Sequence, residues 1–160
     1  MALAIPCICM YIPSMVDSLK LQSLPCYCAT LRQAARAVTA MYEEALAESG
    51  LRATQFTALE LLKSAPRLTT TDVAHAMGMD QTTATRTLAL IKKGGLASDA
   101  PGSDRRERRW ALTAAGEATL RRVRPKWEAA QAALEQRLGR AEAAALKKAA
   151  FAAATRLAAD

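Results

Sequence analysis

Aromatic residues and histidine are scarce in this sequence. Tryptophan, tyrosine and phenylalanine together supply 4% of the residues, and His75 is the only histidine. The most apolar stretch, residues 2–16, is interrupted by Pro6 and Pro13 and is shorter than the roughly 20 residues that a membrane-spanning helix needs. It also lacks the basic residues that open a secretory signal. We therefore expect a cytoplasmic protein with no membrane partner.

The sequence also lacks the motifs of enzyme chemistry. It has no glycine-rich phosphate loop, no zinc-type spacing of histidine and cysteine in its body, and no acidic pair placed for acid–base work. A single histidine such as His75 is most often a surface or packing residue. We therefore expect no enzyme activity.

What the sequence has in excess is positive charge and alanine. Lysine and arginine number 22 against 15 acidic residues, which gives a net charge of +7 and a pI near 9.6. Such a surplus favours a polyanionic partner, and of nucleic acid and an anionic membrane surface we expect nucleic acid, since no stretch is long enough to span a membrane. Alanine is the best helix former, so the composition favours helices that pack through small side chains.

Hydrophobic periodicity divides the chain into four segments. We predict an irregular arm over 1–24, a first helix within 25–52, a helix-turn-helix with a wing over 53–113, and further helices over 114–160. Within the third segment, helices are expected over about 54–64, 69–77 and 81–93, and strands over 96–98 and 109–112. We expect Pro125 to kink the long helix that follows and Gly139 to end it.

The centre of the chain has the outline of a helix-turn-helix. Gly78 breaks one short helix, and Asp80 is a good N-cap for the next. The two short strands that follow flank a polar, charged tip over residues 99–106, which predicts a hairpin, or wing. The terminal helices carry apolar stripes of small residues. On the residues alone, these stripes are either a dimer seam or a core that folds back on the first helices.

The sequence resembles the MarR family of winged-helix transcription regulators over roughly residues 25–158. The resemblance rests on five pieces in register: Thr54-Gln55-Phe56, Asp80-Gln81-Thr82-Thr83-Ala84-Thr85-Arg86-Thr87-Leu88, Asp104-Arg105-Arg106, Leu112-Thr113-Ala114-Ala115-Gly116, and Pro125-Lys126-Trp127 with Ala130-Gln131. It implies a mainly α fold with a small β-hairpin wing. It also implies a homodimer that is held together by its N- and C-terminal helices and binds an operator in double-stranded DNA.

Two groups of residues are the predicted DNA contacts. A recognition helix presents its N-terminal residues to base edges in the major groove, which here means Gln81, Thr82, Thr83, Thr85 and Arg86. By resemblance, Asp104, Arg105 and Arg106 form the wing tip, and an arginine there enters the minor groove. The alternatives are a neutral solvated face for the threonines and a surface ion pair for Arg86.

Four cysteines, Cys7, Cys9, Cys26 and Cys28, lie in the first 28 residues. Clustered cysteines in a cytosolic protein are more often metal-binding, catalytic or redox-sensing than structural, although small buried packing residues are the alternative. No cofactor is expected apart from a thiophilic metal ion at these cysteines. We predict Cys26 in the first turn of its helix, where the helix N-terminus favours the reactive thiolate.

The resemblance also implies an effector site. Cys28 takes the position of the reactive cysteine in the hydroperoxide-sensing branch of the family, and Tyr42 matches a tyrosine that contacts it there. Arg32 and Ala53 replace other tyrosines of that branch. Arg32 and Tyr42 are the predicted contacts of a small effector.

These observations predict a homodimeric DNA-binding transcription regulator, a repressor that is released from an inverted-repeat operator by a small effector or oxidant, by thiol modification or by a soft metal. The alternative is a thiol-based metal-handling or redox protein whose positive charge serves another partner. Affinity for promoter DNA that falls steeply with salt would separate the two.

Overall fold

The computed structural model describes residues 25–102, 104 and 107–157. The predicted arm, with Cys7 and Cys9, lies outside the described residues, as do Arg105 and Arg106. The described part holds six α-helices and three strands. They are α1 (Tyr27–Leu46), α2 (Ala53–Ser64), β1 (Leu68–Thr69), α3 (Thr70–Met77), α4 (Gln81–Lys93), β2 (Ala97–Pro101), β3 (Arg108–Leu112), α5 (Ala114–Leu138) and α6 (Arg140–Leu157).

The chain divides into two units, residues 1–36 and residues 37–160. The described residues of the first unit are the start of α1, where the Thr30 amide donates to the Cys26 carbonyl oxygen at 3.1 Å. The helix itself begins at Tyr27, so Cys26 immediately precedes the first turn rather than lying in it. The other helices and the sheet belong to the second unit. The division into four segments stays a prediction.

The core of the second unit is aliphatic, with few aromatic side chains. Its largest fully buried side chains are Leu46, Phe56, Leu59, Leu62, Val73, Leu88, Ile91, Leu120 and Val123. Burying each such side chain contributes about 1.5–3 kcal/mol to folding before the entropy cost is counted. Helix α2 buries Phe56, Leu59 and Leu62 in this core.

The sheet has one strand more than the sequence predicts. It is antiparallel, in the order β1-β3-β2, and the added strand β1 pairs Leu68 with Trp110 and Thr69 with Arg109. Two residues are too short to show an alternating pattern, which is why the periodicity missed β1. The expected wing tip is also too long, because the residues from Asp99 to Pro101 continue β2 and pair with β3.

Two positions around the helix-turn-helix require glycine, one for its backbone conformation and one for lack of space. Gly78 ends α3 with φ of 61°, in the left-handed region that favours glycine. At the start of α5, a Cβ on Gly116 would lie 2.1 Å from the Leu96 carbonyl oxygen. Only glycine therefore lets α5 begin directly against the segment that leads into the wing.

The proline in α5 does not interrupt that helix. The helix runs from Ala114 to Leu138 through Pro125 and is followed by Gly139, as the sequence predicts for its end. No helix within the described residues is long and apolar enough to span a membrane.

Candidate nucleic-acid interface

The N-terminus of α4 is fixed by a capping aspartate. Asp80 Oδ1 accepts the Thr83 amide hydrogen at 2.9 Å, and the Thr83 hydroxyl donates to Oδ2 at 2.6 Å. The Thr83 hydroxyl and amide together hold the pKa of Asp80 below its usual value. The cap satisfies one of the four free amides at the helix start and sets where α4 begins.

Helix α4 has a sharply divided surface. Its buried positions are Ala84, Thr87, Leu88 and Ile91. At about 100° per residue, the positions opposite that face recur at steps of three and four residues. They are Thr82, Arg86, Ala89 and Lys93, and all four are exposed. We call these four residues the outer stripe.

The structure separates the five predicted base readers into two kinds. Three already bond within the protein: Thr83 to Asp80, Thr85 to the Gln81 carbonyl oxygen at 2.7 Å, and the Gln81 amide to the Thr71 hydroxyl at 3.3 Å. The side chains of Thr82 and Arg86 make no hydrogen bond or ion pair with any residue the structure describes. Arg86 therefore forms no surface ion pair with the part of the chain that the structure describes.

The wing is a hairpin whose tip is closed by backbone hydrogen bonds. The Gly102 amide donates to the Glu107 carbonyl oxygen at 2.9 Å, and the Glu107 amide donates to the Asp104 carbonyl oxygen at 2.9 Å. Asp104 is exposed at this tip. The contacts of Arg105 and Arg106 lie outside the described residues.

A carboxylate at the base of the wing connects three elements. Asp99 on β2 has a side chain that is only 5% exposed, and it forms ion pairs with Lys92 on α4 and Arg108 on β3, both at 2.5 Å. Lys92 first, and Arg108 next, hold the pKa of Asp99 below its usual value despite burial.

This cluster was missed by the sequence analysis. Its three members lie on different elements, so no helical or strand period links them. The cluster changes the interpretation of the basic residues, because Lys92 and Arg108 already form ion pairs with Asp99. Arg109 is also committed, since it pairs with Glu107 at 3.0 Å and donates to the Arg67 carbonyl oxygen at 3.2 Å.

Tyr42, a predicted effector contact, lies in an aromatic cluster of the second unit. Its hydroxyl donates to Gln131 Oε1, and its ring centroid is 6.5 Å from that of Trp127, which stacks on Phe56 at 5.7 Å. Burial, and then the nearby Glu135 carboxylate, raise the pKa of Tyr42. Arg32 is exposed in the first unit.

The two cysteines within the described residues are free and accessible. Cys26 and Cys28 are both exposed, which argues against the packing alternative for them. Among the residues that the structure describes, no three histidine, cysteine or acidic side chains are grouped to hold a metal ion.

Comparisons with known proteins identify the family. The sequence profile of the MarR family matches residues 49–107. The transcriptional regulator MosR of Mycobacterium tuberculosis, solved in complex with DNA, is 36% identical over 80% of this chain and 98% of MosR, with a TM-score of 0.66. The chain belongs to the MarR family. A search of curated proteins finds no match.

Other MarR-fold structures share the architecture. The transcriptional repressor CouR, bound to a 23-mer DNA duplex, is 27% identical over 81% of this chain and 92% of CouR, with a TM-score of 0.73. BpsR of Bordetella bronchiseptica, whose DNA binding is regulated by 6-hydroxynicotinic acid, is 23% identical over 85% of this chain and 98% of BpsR, with a TM-score of 0.74. The predicted winged-helix fold of this MarR-family chain is confirmed.

Proposed function

We propose that this MarR-family chain is a homodimeric DNA-binding transcription repressor. Helix α4 enters the major groove of an operator, and the wing, with Arg105 and Arg106, reaches the adjacent minor groove. The observation that carries the proposal is the outer stripe of α4, where Arg86 is exposed and unpaired among the described residues. The DNA complexes of MosR and CouR, the second described as a repressor, support it.

The dimer is proposed from the apolar surface of α6. Leu146, Phe151 and Leu157 are 36%, 71% and 83% exposed, and Ala143 alone is buried among the residues of this helix. A helix with apolar residues on several faces needs a partner to cover them. A two-fold dimer places two recognition helices on half-sites about one helical turn apart, so the operator should be an inverted repeat.

The decisive test begins with operator selection from random duplexes by the full chain. Arg86→Ala should then weaken operator binding by about 1–3 kcal/mol and relax specificity at one base pair, because a guanidinium binds guanine through two hydrogen bonds. Arg122→Ala, an exposed arginine on α5, is the matched control and should bind like wild type. Failure to select any sequence, or equal binding by Arg86→Ala, contradicts the proposal.

Release by a small effector is the second part of the proposal. Tyr42 is half-buried in an aromatic cluster and donates a hydrogen bond to Gln131, which supports a role in binding the effector. Arg32 is proposed to supply the cation for an anionic effector. Thermal-shift screening of small acids identifies the ligand, and Tyr42→Phe and Arg32→Ala should then raise its dissociation constant. Unchanged affinity in a variant rejects the proposed role of that residue.

Thiol modification is proposed as a second release route because Cys26 and Cys28 are exposed. A thiolate attacks a hydroperoxide to give a sulfenate and an alcohol, and the protonated sulfenate condenses with a second thiol, losing water to form a disulfide. Cys7 or Cys9 is the proposed second thiol. A soft metal ion bound by these thiolates is the non-oxidative variant.

Gel shifts with hydroperoxide or arsenite test this route on wild type, Cys26→Ser, Cys28→Ser and the double variant of Cys7 and Cys9. We expect the oxidant to release wild-type protein from the operator, and dithiothreitol to restore binding. At least one of the cysteine variants should stay bound. Equal release in all proteins, or none in any, returns the cysteines to a passive role.

A further inference from the structure

The outer surface of α4 carries methyl groups and has few polar side chains that could hydrogen-bond to bases. Between Thr82 and Lys93 the helix has no aspartate, glutamate, asparagine or glutamine. Its outer stripe instead alternates methyl-bearing and cationic side chains: Thr82, Arg86, Ala89 and Lys93. Thr85 lies beside this stripe and is exposed as well. Hydrogen-bond recognition of bases therefore rests mainly on Arg86.

The hydroxyl of Thr85 has no hydrogen left to donate to a base. It donates its hydrogen to the Gln81 carbonyl oxygen at 2.7 Å, within the helix itself. A hydroxyl committed in this way slightly disfavours a helix rather than stabilising it. Threonine is also a weaker helix former than alanine, so helix stability does not account for it here. The group that Thr85 adds to the exposed surface, beyond what serine would supply, is its methyl.

Thymine is the base that presents a methyl group in the major groove, and alanine and threonine methyls are its usual apolar contacts. We propose that the methyls of Thr82, Thr85 and Ala89 read thymine methyls in each operator half-site, beside the base pair that Arg86 contacts. This inference rests on the proposed function and specifies its target: a half-site whose thymines are recognised through their methyl groups.

Charge on both sides keeps this apolar surface in the groove. Arg86 and Lys93 flank Ala89 on the stripe, and the chain carries a net charge of +7. The methyl groups of the outer stripe can contact thymine methyls at the floor of the groove while its cations pair with the phosphates that line the groove. The exposed Leu90, at 56%, extends the apolar surface on one flank of the stripe.

The experiment uses the full chain and the selected operator, with each thymine of a half-site replaced in turn by deoxyuridine. This change removes one methyl and leaves the hydrogen-bonding pattern unchanged. We expect a loss of about fourfold in affinity at each contacted thymine, since burying one methyl-sized group contributes about 0.8 kcal/mol.

Protein variants then identify which methyl makes each contact. Thr82→Ser and Thr85→Ser each remove one methyl and keep the hydroxyl, so each should lose affinity for the thymine operator and lose no more when its partner thymine is already uracil. Thr57→Ser on α2 is the matched control, because the exposed Thr57 donates its hydroxyl hydrogen to the Ala53 carbonyl oxygen at 3.0 Å, as Thr85 does to Gln81, and is not among the predicted DNA contacts. It should bind both operators as wild type does.

Three outcomes are distinguishable. Losses at specific thymines that disappear in the Thr82→Ser or Thr85→Ser background establish the inference. Sequence-specific binding that is indifferent to uracil at every thymine overturns the inference and leaves the proposed function standing. Absence of sequence-specific binding overturns both.

Discussion

Single residues fix the frame of the recognition helix, and several of them were predictable. Asp80 as N-cap and Gly78 as breaker follow from local rules, because a cap or a left-handed turn depends only on its immediate neighbours. The structure confirms both. The commitment of the Thr85 hydroxyl to the helix backbone was not predictable, since threonine in a helix either bonds an earlier carbonyl or leaves its hydroxyl free.

The capping carboxylate makes helix stability depend on pH. The pKa of Asp80 is lower in the folded chain than its ordinary value of about 3.9, so its contribution is fully present at neutral pH and is lost as pH falls through that lowered value. Asp80→Asn should cap about as well, because asparagine and aspartate are nearly equivalent at this position. We expect similar stability at neutral pH and a smaller loss in acid.

Urea unfolding followed by circular dichroism, from neutral pH down to about pH 3, measures this difference. Glu44→Gln is the control: this exposed side chain has no hydrogen bond or ion pair with the described residues. It should follow the wild-type curve. An Asp80→Asn curve parallel to wild type at every pH would refute the assignment.

At the scale of elements, helices were predicted to within one or two residues, and the sheet less well. Amphipathic periods define α2 and α4 because each buries one stripe. Strand β1 and the Asp99 cluster depend on pairing between distant segments, which a local pattern does not encode. The sequence of the wing does not indicate which arginines form ion pairs within the protein. The structure shows that Arg108 pairs with Asp99 and Arg109 with Glu107.

The Asp99 cluster predicts how the wing and the recognition helix act together. Asp99→Asn removes the charge that pairs with Lys92 and Arg108, so both cations become available to DNA phosphates. We expect tighter binding to random duplex, with a salt slope steeper by about one to two units, at about 0.9 per phosphate. Because the ion pair between β2 and α4 is lost, the ratio of operator to random affinity should fall. Stability should drop by about 1–3 kcal/mol, as for lost hydrogen bonds between charged groups.

Fluorescence anisotropy at several salt concentrations checks these expectations on operator and random duplexes. A double-mutant cycle with Lys92→Gln should show coupling to Asp99, whereas Lys93→Gln, the neighbouring exposed lysine, should show none. An unchanged ratio of affinities in Asp99→Asn would mean that the cluster only stabilises the fold.

For the whole molecule, the sequence left open whether the stripe of α6 is core or seam. The stripe, Leu146, Ala150, Ala153 and Leu157, recurs at steps of three and four residues, and none of its members is buried. Within the described residues, no other element covers them, so this part of the chain presents an apolar helix face. A second copy of the chain is the partner that the proposed function predicts, because an inverted-repeat operator binds a two-fold dimer.

Ala150→Glu tests this arrangement, because it places a carboxylate in the middle of the exposed stripe while glutamate keeps nearly the helix propensity of alanine. We expect a monomer by sedimentation equilibrium and a loss of operator affinity of about 10²-fold or more, since two linked recognition helices gain that much over one. Lys148→Glu, exposed on the opposite side of α6, makes a larger change in charge and should leave the dimer intact. Any loss of DNA affinity in Lys148→Glu measures the effect of charge alone, so the additional loss in Ala150→Glu measures the effect of losing the dimer. A dimeric Ala150→Glu protein would show that the dimer interface does not include this stripe of α6.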